Sequence, residues 1–106
     1  MTEPGRRAGG AVAQPAEEVR ARHAPRYRVL IHNDPVTDMD FVVQVLQRIF
    51  HKPRGDAVGI MWTAHTSGLA HVTTLPLEQA EFRVDQAHSL ARGQGYPLTF
   101  TYEPED

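Results

Sequence analysis

Residues 33–43 read Asn33-Asp34-Pro35-Val36-Thr37-Asp38-Met39-Asp40-Phe41-Val42-Val43, and the change of periodicity across this stretch decides the fold. Before it, Tyr27, Val29 and Ile31 alternate with Arg28, Leu30 and His32, a period of two that predicts a strand. Pro35 has no amide to donate and Asn33 and Asp34 favour turns, so the strand stops there. Thr37 is then expected to cap a helix whose positive first turn holds Asp38 and Asp40. Val42, Val45, Leu46, Ile49 and Phe50 fall at helical spacing, with Met39 and Val43 widening the apolar stripe. Lys52-Pro53-Arg54-Gly55 is read as its end.

Working outward, a second helix is expected from about Asp56 to Ser67, burying Ala57, Ile60, Met61 and Ala64, with Gly68 as a left-handed cap. Leu69 to Thr74 reads as a strand in which His71, Thr73 and Thr74 suit a half-exposed sheet. Pro76 suits the first turn of a third helix with Leu77, Ala80, Val84, Ala87 and Ala91 as its stripe, ended by Gly93 and Gly95. Pro97 to Tyr102 closes the chain as a strand, with Leu98, Phe100 and Tyr102 on one face. The order β-α-α-β-α-β predicts an α+β fold, a three-stranded antiparallel sheet packed on three helices that cover one face.

Residues 1–25 differ. Pro4, Pro15, Pro25, Gly5 and Gly9-Gly10 interrupt mixed charges, and few large apolar side chains are present. They are expected to form a disordered extension, with at most a transient helix around Pro15 to His23, leaving 26–106 as the folded domain.

With 106 residues the chain has room for one ordinary domain. A net charge of -2 supplies no basic field for nucleic acid. No cysteine is present, which removes disulfides, thiolate zinc sites and a cysteine nucleophile. No apolar run approaches the roughly 20 residues needed to span a bilayer, and the N-terminus lacks a secretory core. The cytoplasm is the expected location, and no cofactor is expected.

A second motif, Ile60-Met61-Trp62-Thr63-Ala64-His65-Thr66-Ser67-Gly68, places a methionine and a histidine one helical turn apart. With the first motif it predicts a small apolar pocket bearing acceptors at its mouth. Such a site suits a hydrophobic side chain attached to a cationic amine. The Asn33 amide oxygen and a ring nitrogen of neutral His65 can accept directly, and the Asp34 carboxylate can add charge, directly or through a water. Thr37, Met39, Val42, Met61 and Ala64 are the candidate walls. Each has a plainer role open to it: the methionines as core filler, His65 as a structural histidine, Asn33-Asp34 as a turn. An enzyme would have to pair His65 with Asp34 or Asp40, and no nucleophile elbow or P-loop accompanies them. A metal site from His65 and His71 lacks a third ligand.

The run from Asn33-Asp34 through Phe41-Val42-Val43, with Val45-Leu46 and Phe50, resembles the start of the ClpS adaptor domain. Ile60-Met61, His65-x-x-Gly68-x-Ala70, Glu78-x-Ala80-Glu81, Ala91-Arg92 and Pro97-Leu98 continue the resemblance in order over about residues 26–103. It implies a bacterial adaptor that binds proteins whose first residue is Phe, Leu, Tyr or Trp and hands them to a Clp AAA+ unfoldase of the ClpA or ClpC type for degradation, with no catalysis of its own. The rival is a general interaction module that regulates such an unfoldase without this specificity. The implied fold is similar to the C-terminal domain of the ribosomal stalk protein.

The resemblance further implies Leu98 as a pocket floor, Met39 as a gate against β-branched side chains, Glu78 and Arg83 as contacts to the unfoldase, and an N-terminal tail that enters the unfoldase channel. The chain departs from the family pattern at three positions. Pro35 stands where a second acidic residue is common, which implies weaker amine binding or compensation by Asp38. Ala64 replaces a common valine, which implies a wider pocket. Arg83 replaces the usual lysine, keeping charge but changing hydrogen-bond geometry.

Overall fold

The computed structural model describes residues 24–106. Its elements are β1 (Arg26–His32), α1 (Met39–Arg48), α2 (Arg54–Ser67), β2 (Leu69–Pro76), α3 (Leu77–Gly93) and β3 (Thr99–Pro104). The sheet is antiparallel in the order β2-β1-β3, so the element order and α+β architecture agree with the sequence reading. The extension expected over residues 1–25 and its transient helix lie outside the described residues, except for Ala24 and Pro25.

The apolar face of β1 sets the core. Val29 pairs with Tyr102 and Ile31 with Phe100 across β3, so these four side chains share one face. On the other side the register slips between Val29 and Leu30, Val29 facing Thr73 while Ile31 faces Ala70. This bulge brings both Ala70 and Val72 into the core. Val42, Val43, Val45, Leu46 and Phe50, Ala57, Met61 and Ala64 of α2, Ala80, Val84, Ala87 and Ala91 of α3, and Leu98 complete it. Four buried residues on α3 are no larger than valine, which lets that helix lie close to the sheet. The opposite face is polar, with Arg28 paired to Glu103 and the His32 ring beside the Thr101 hydroxyl at 2.8 Å.

Several boundaries differ from the sequence reading, each for a local reason. Asp38, not Thr37, occupies the N-cap of α1, and it makes no side-chain cap bond. The Thr37 hydroxyl instead donates to Asp34 Oδ2 at 2.8 Å. α1 ends at Arg48, and His51 makes the turn with a positive φ of 57°. Arg54 and Gly55 therefore open α2 rather than close α1; Pro53 is its N-cap, a position with no need for an amide donor. Likewise β2 runs through Pro76, which caps α3 from outside its first turn. β3 begins at Thr99, so Pro97 and Leu98 precede the strand.

At the end of α3, Gly95 N donates to Arg92 O and Tyr96 N to Ala91 O, with Gly95 at φ 80°. This is a Schellman closure. It places the Tyr96 ring 4.9 Å from Phe41 on α1, joining the two helices at that end.

Candidate functional site

The loop after β1 is built around one carboxylate. Asp34 Oδ1 accepts from the amides of Val36 and Thr37 at 2.8 and 2.7 Å, and Oδ2 accepts from the Thr37 hydroxyl. This Asx-type turn fixes the path from Asn33 to the first turn of α1. Its other anchor is the amide of Asn33, which donates to the Gly68 carbonyl at 3.0 Å. Gly68 takes a left-handed φ of 86° as the cap of α2. The end of β1 is thereby tied to the end of α2, which brings Asn33 to the same mouth as His65.

Between them lies a cavity of about 210 Å³. Asn33, Asp34, Thr37, Met39, Val42, Met61, Ala64, His65 and Leu98, all singled out in the sequence, line it together. Ile31, His32 and Pro35 line it as well. Ile31 lines the cavity although the strand alternation marks it only as core; it is the last inward side chain of β1 and so a neighbour of Asn33. The volume falls below the roughly 300 Å³ at which small-molecule pockets begin. It suits one side chain.

The lining is graded in depth. Leu98 and Ile31 are 1% exposed, whereas Met39 at the mouth is 37% exposed. Val42, Met61 and Ala64 are buried and form the walls. No polar or charged residue is fully buried among those described, so the polar groups of the site belong to its rim. Asn33 and His65 are exposed there. The His65 ring meets the Trp62 ring edge-on, centroids 5.5 Å apart at 83°. Among the described residues His65 makes no hydrogen bond, whereas three donors already converge on Asp34.

The charged pair on α3 is not a pair in space. Glu78 is exposed in the first turn, where its charge complements the helix dipole. Arg83 is half-buried, and its Nη1 donates to the Ile49 carbonyl at 3.2 Å, closing the end of α1. Five residues of helix turn the two side chains about 140° apart. The described residues contain no cluster of three or more potential metal ligands, and His71 lies instead against Thr74 at 2.8 Å. No described helix is long and apolar enough to cross a membrane.

Comparison with known proteins gives a consistent result. The family model for the ATP-dependent Clp protease adaptor protein ClpS matches residues 22–101. An ATP-dependent Clp protease adapter protein ClpS from Desulfatibacillum aliphaticivorans is 40% identical over 90 residues, covering 84% of this chain and 86% of its own. The protein of that name from Ruegeria sp. is 44% identical, covering 82% and 77%. Among solved structures, Agrobacterium tumefaciens ClpS2 bound to L-phenylalaninamide superposes with a TM-score of 0.74 at 36% identity, over 76% of this chain and 98% of that one.

Proposed function

We propose, from the premise that this chain belongs to the ClpS family of ATP-dependent Clp protease adaptors, that it captures proteins bearing an N-terminal Phe, Leu, Tyr or Trp. It is an adaptor and not an enzyme. It delivers what it captures to a Clp AAA+ unfoldase of the ClpA or ClpC type, in the cytoplasm.

The observation that carries this reading is a cavity sized for one side chain with the exposed Asn33 amide and His65 ring at its mouth. An α-amino group titrates near pH 8 and is mostly cationic at neutral pH, presenting several donors. The Asn33 amide oxygen and a His65 ring nitrogen accept two of them. Asp34 contributes its negative charge from behind the turn it already organises. Burying a Phe or Leu side chain among Ile31, Met61, Ala64 and Leu98 contributes about 1.5–3 kcal/mol. An acetylated or internal residue enters the same hole but leaves the rim acceptors unpaired, at about 1–3 kcal/mol each. The ligand of the Agrobacterium relative, L-phenylalaninamide, combines a free α-amine with a phenyl side chain, the two features this cavity and rim select.

Titration with peptides beginning in Phe, Leu, Trp or Tyr, each with and without N-acetylation, tests the reading. Binding of the free peptides alone supports it. Equal affinity for free and acetylated peptides would leave only a general interaction module, which the engagement of Asp34 in its own loop and the uncharged Pro35 beside it would then explain.

A further inference from the structure

Two side chains of α3, one helical turn apart, reach β3 and the segment leading into it from the open side. Arg92 Nη1 donates to the carbonyls of Tyr96 and Leu98, each at 2.8 Å. His88 Nε2 accepts the amide hydrogen of Phe100 at 2.9 Å, which makes Nε2 the unprotonated nitrogen of a neutral ring. In the order β2-β1-β3, β3 is an edge strand, and the outward-facing groups of an edge have no neighbouring strand. Leu98 and Phe100, two apart on an extended chain, direct these groups to one side. Four residues of helix advance about 6.0 Å and two of strand about 6.6 Å, so His88 and Arg92 match the repeat of the edge they face.

Leu98 is the pocket residue that this arrangement holds directly. The last rung between β1 and β3 joins His32 to Thr99, so Leu98 lies just beyond the ladder. Its carbonyl is held by Arg92 rather than by a strand. Its side chain, 1% exposed, lies at the deep end of the cavity. Two residues on, Phe100 is locked against the Phe50 ring at 5.1 Å.

We propose that Arg92 and His88 are positioning residues for the pocket: from the open edge of the sheet they set the depth of the Leu98 floor, and thereby which first side chain the adaptor prefers. The proposal rests on the N-terminal-residue reading above and adds to it a determinant of size selectivity outside the pocket.

The test measures the affinity of the full chain for Leu-, Phe- and Trp-initiated peptides, free and acetylated, in wild type and four variants. Arg92→Ala and His88→Leu are expected to change the Trp-to-Leu preference roughly fivefold, the factor that about 1 kcal/mol represents, while acetylated peptides are still rejected. Arg92→Lys, which keeps a donor, and His88→Gln, which keeps an acceptor at similar reach, are expected to restore the wild-type preference. An unchanged preference in Arg92→Ala and His88→Leu overturns the proposal, as does an equal loss for all three peptides, which marks scaffold residues only. Should Arg92→Ala fail to fold by circular dichroism, the His88→Leu and His88→Gln comparison decides. A wild-type protein that binds none of the free peptides sinks the proposed function instead, so the two failures are distinct.

Discussion

The backbone amide of Asn33 donates to the carbonyl of Gly68, and this 3.0 Å bond is the strut between the two halves of the rim. Gly68 holds a φ of 86°, where an added Cβ meets no neighbour but the backbone conformation itself is disfavoured for an L residue. Gly68→Ala is therefore expected to cost about 1–2 kcal/mol in urea unfolding and to weaken peptide capture beyond that of Ser67→Ala, its exposed neighbour. Unchanged stability and capture would show that the strut is not needed.

His65→Ala should weaken binding of a Phe-initiated peptide by about 1–3 kcal/mol while leaving the melting temperature nearly unchanged, because the side chain is exposed. A large drop in melting temperature with binding intact would return His65 to a structural role.

Met39→Ala should admit peptides beginning with Ile or Val. The side chain stands half-exposed at the mouth, and its truncation enlarges the entrance without removing a buried core residue. Competition binding is the measurement, and rejection as strong as in wild type would make Met39 filler.

Stability should depend on pH through His88. Burial, then the nearby Arg92 charge, lowers its pKa from the ordinary value of 6.5, outweighing the Asp85 carboxylate, and the Phe100 amide that donates to Nε2 likewise favours the neutral ring. The unfolded chain therefore binds the proton more readily than the folded one. The contribution of neutral His88 is present above the ordinary histidine range and is lost as pH falls through the lowered folded value. His88→Gln should flatten this acid-side loss in urea unfolding followed across that range. An identical pH profile in the variant would exclude His88 as its source.

Capture and delivery should separate. Deleting residues 1–22 removes no pocket residue, so peptide affinity should persist while degradation of an N-degron substrate by the cognate unfoldase and peptidase slows sharply. Glu78→Ala with Arg83→Ala should weaken docking to the unfoldase. Arg83→Ala alone should also destabilise the protein by about 0.5–1.5 kcal/mol, since its guanidinium closes the end of α1. A truncated protein that delivers at the wild-type rate would make the tail passive.

The sequence conveyed what periodicity encodes. The alternation from Tyr27 to Ile31 and the stripe from Val42 to Phe50 predict β1 and α1 because each buries one continuous face. The cavity lining was legible for a related reason, since a strand end and two helix faces converge where their patterns meet. What escaped depends on competition for the same atoms or on distant partners. The Asp34 oxygens serve equally well for a turn or for an amine, and only the loop geometry shows them turned inward. Pro53 could end one helix or begin another, and the positive φ of His51 settled that choice without a glycine to signal it. Arg83 reaches Ile49 across 34 residues, and no local pattern announces such a bond.

The single tryptophan of the chain stands edge-on to His65, half-exposed beside the mouth rather than in the core. Its emission therefore reports on the surroundings of the rim, and a ligand that lacks tryptophan adds no second indole. An amine that engages the imidazole would alter the surroundings of that one fluorophore, so the unlabelled protein would serve as its own occupancy sensor for a Phe- or Leu-initiated peptide.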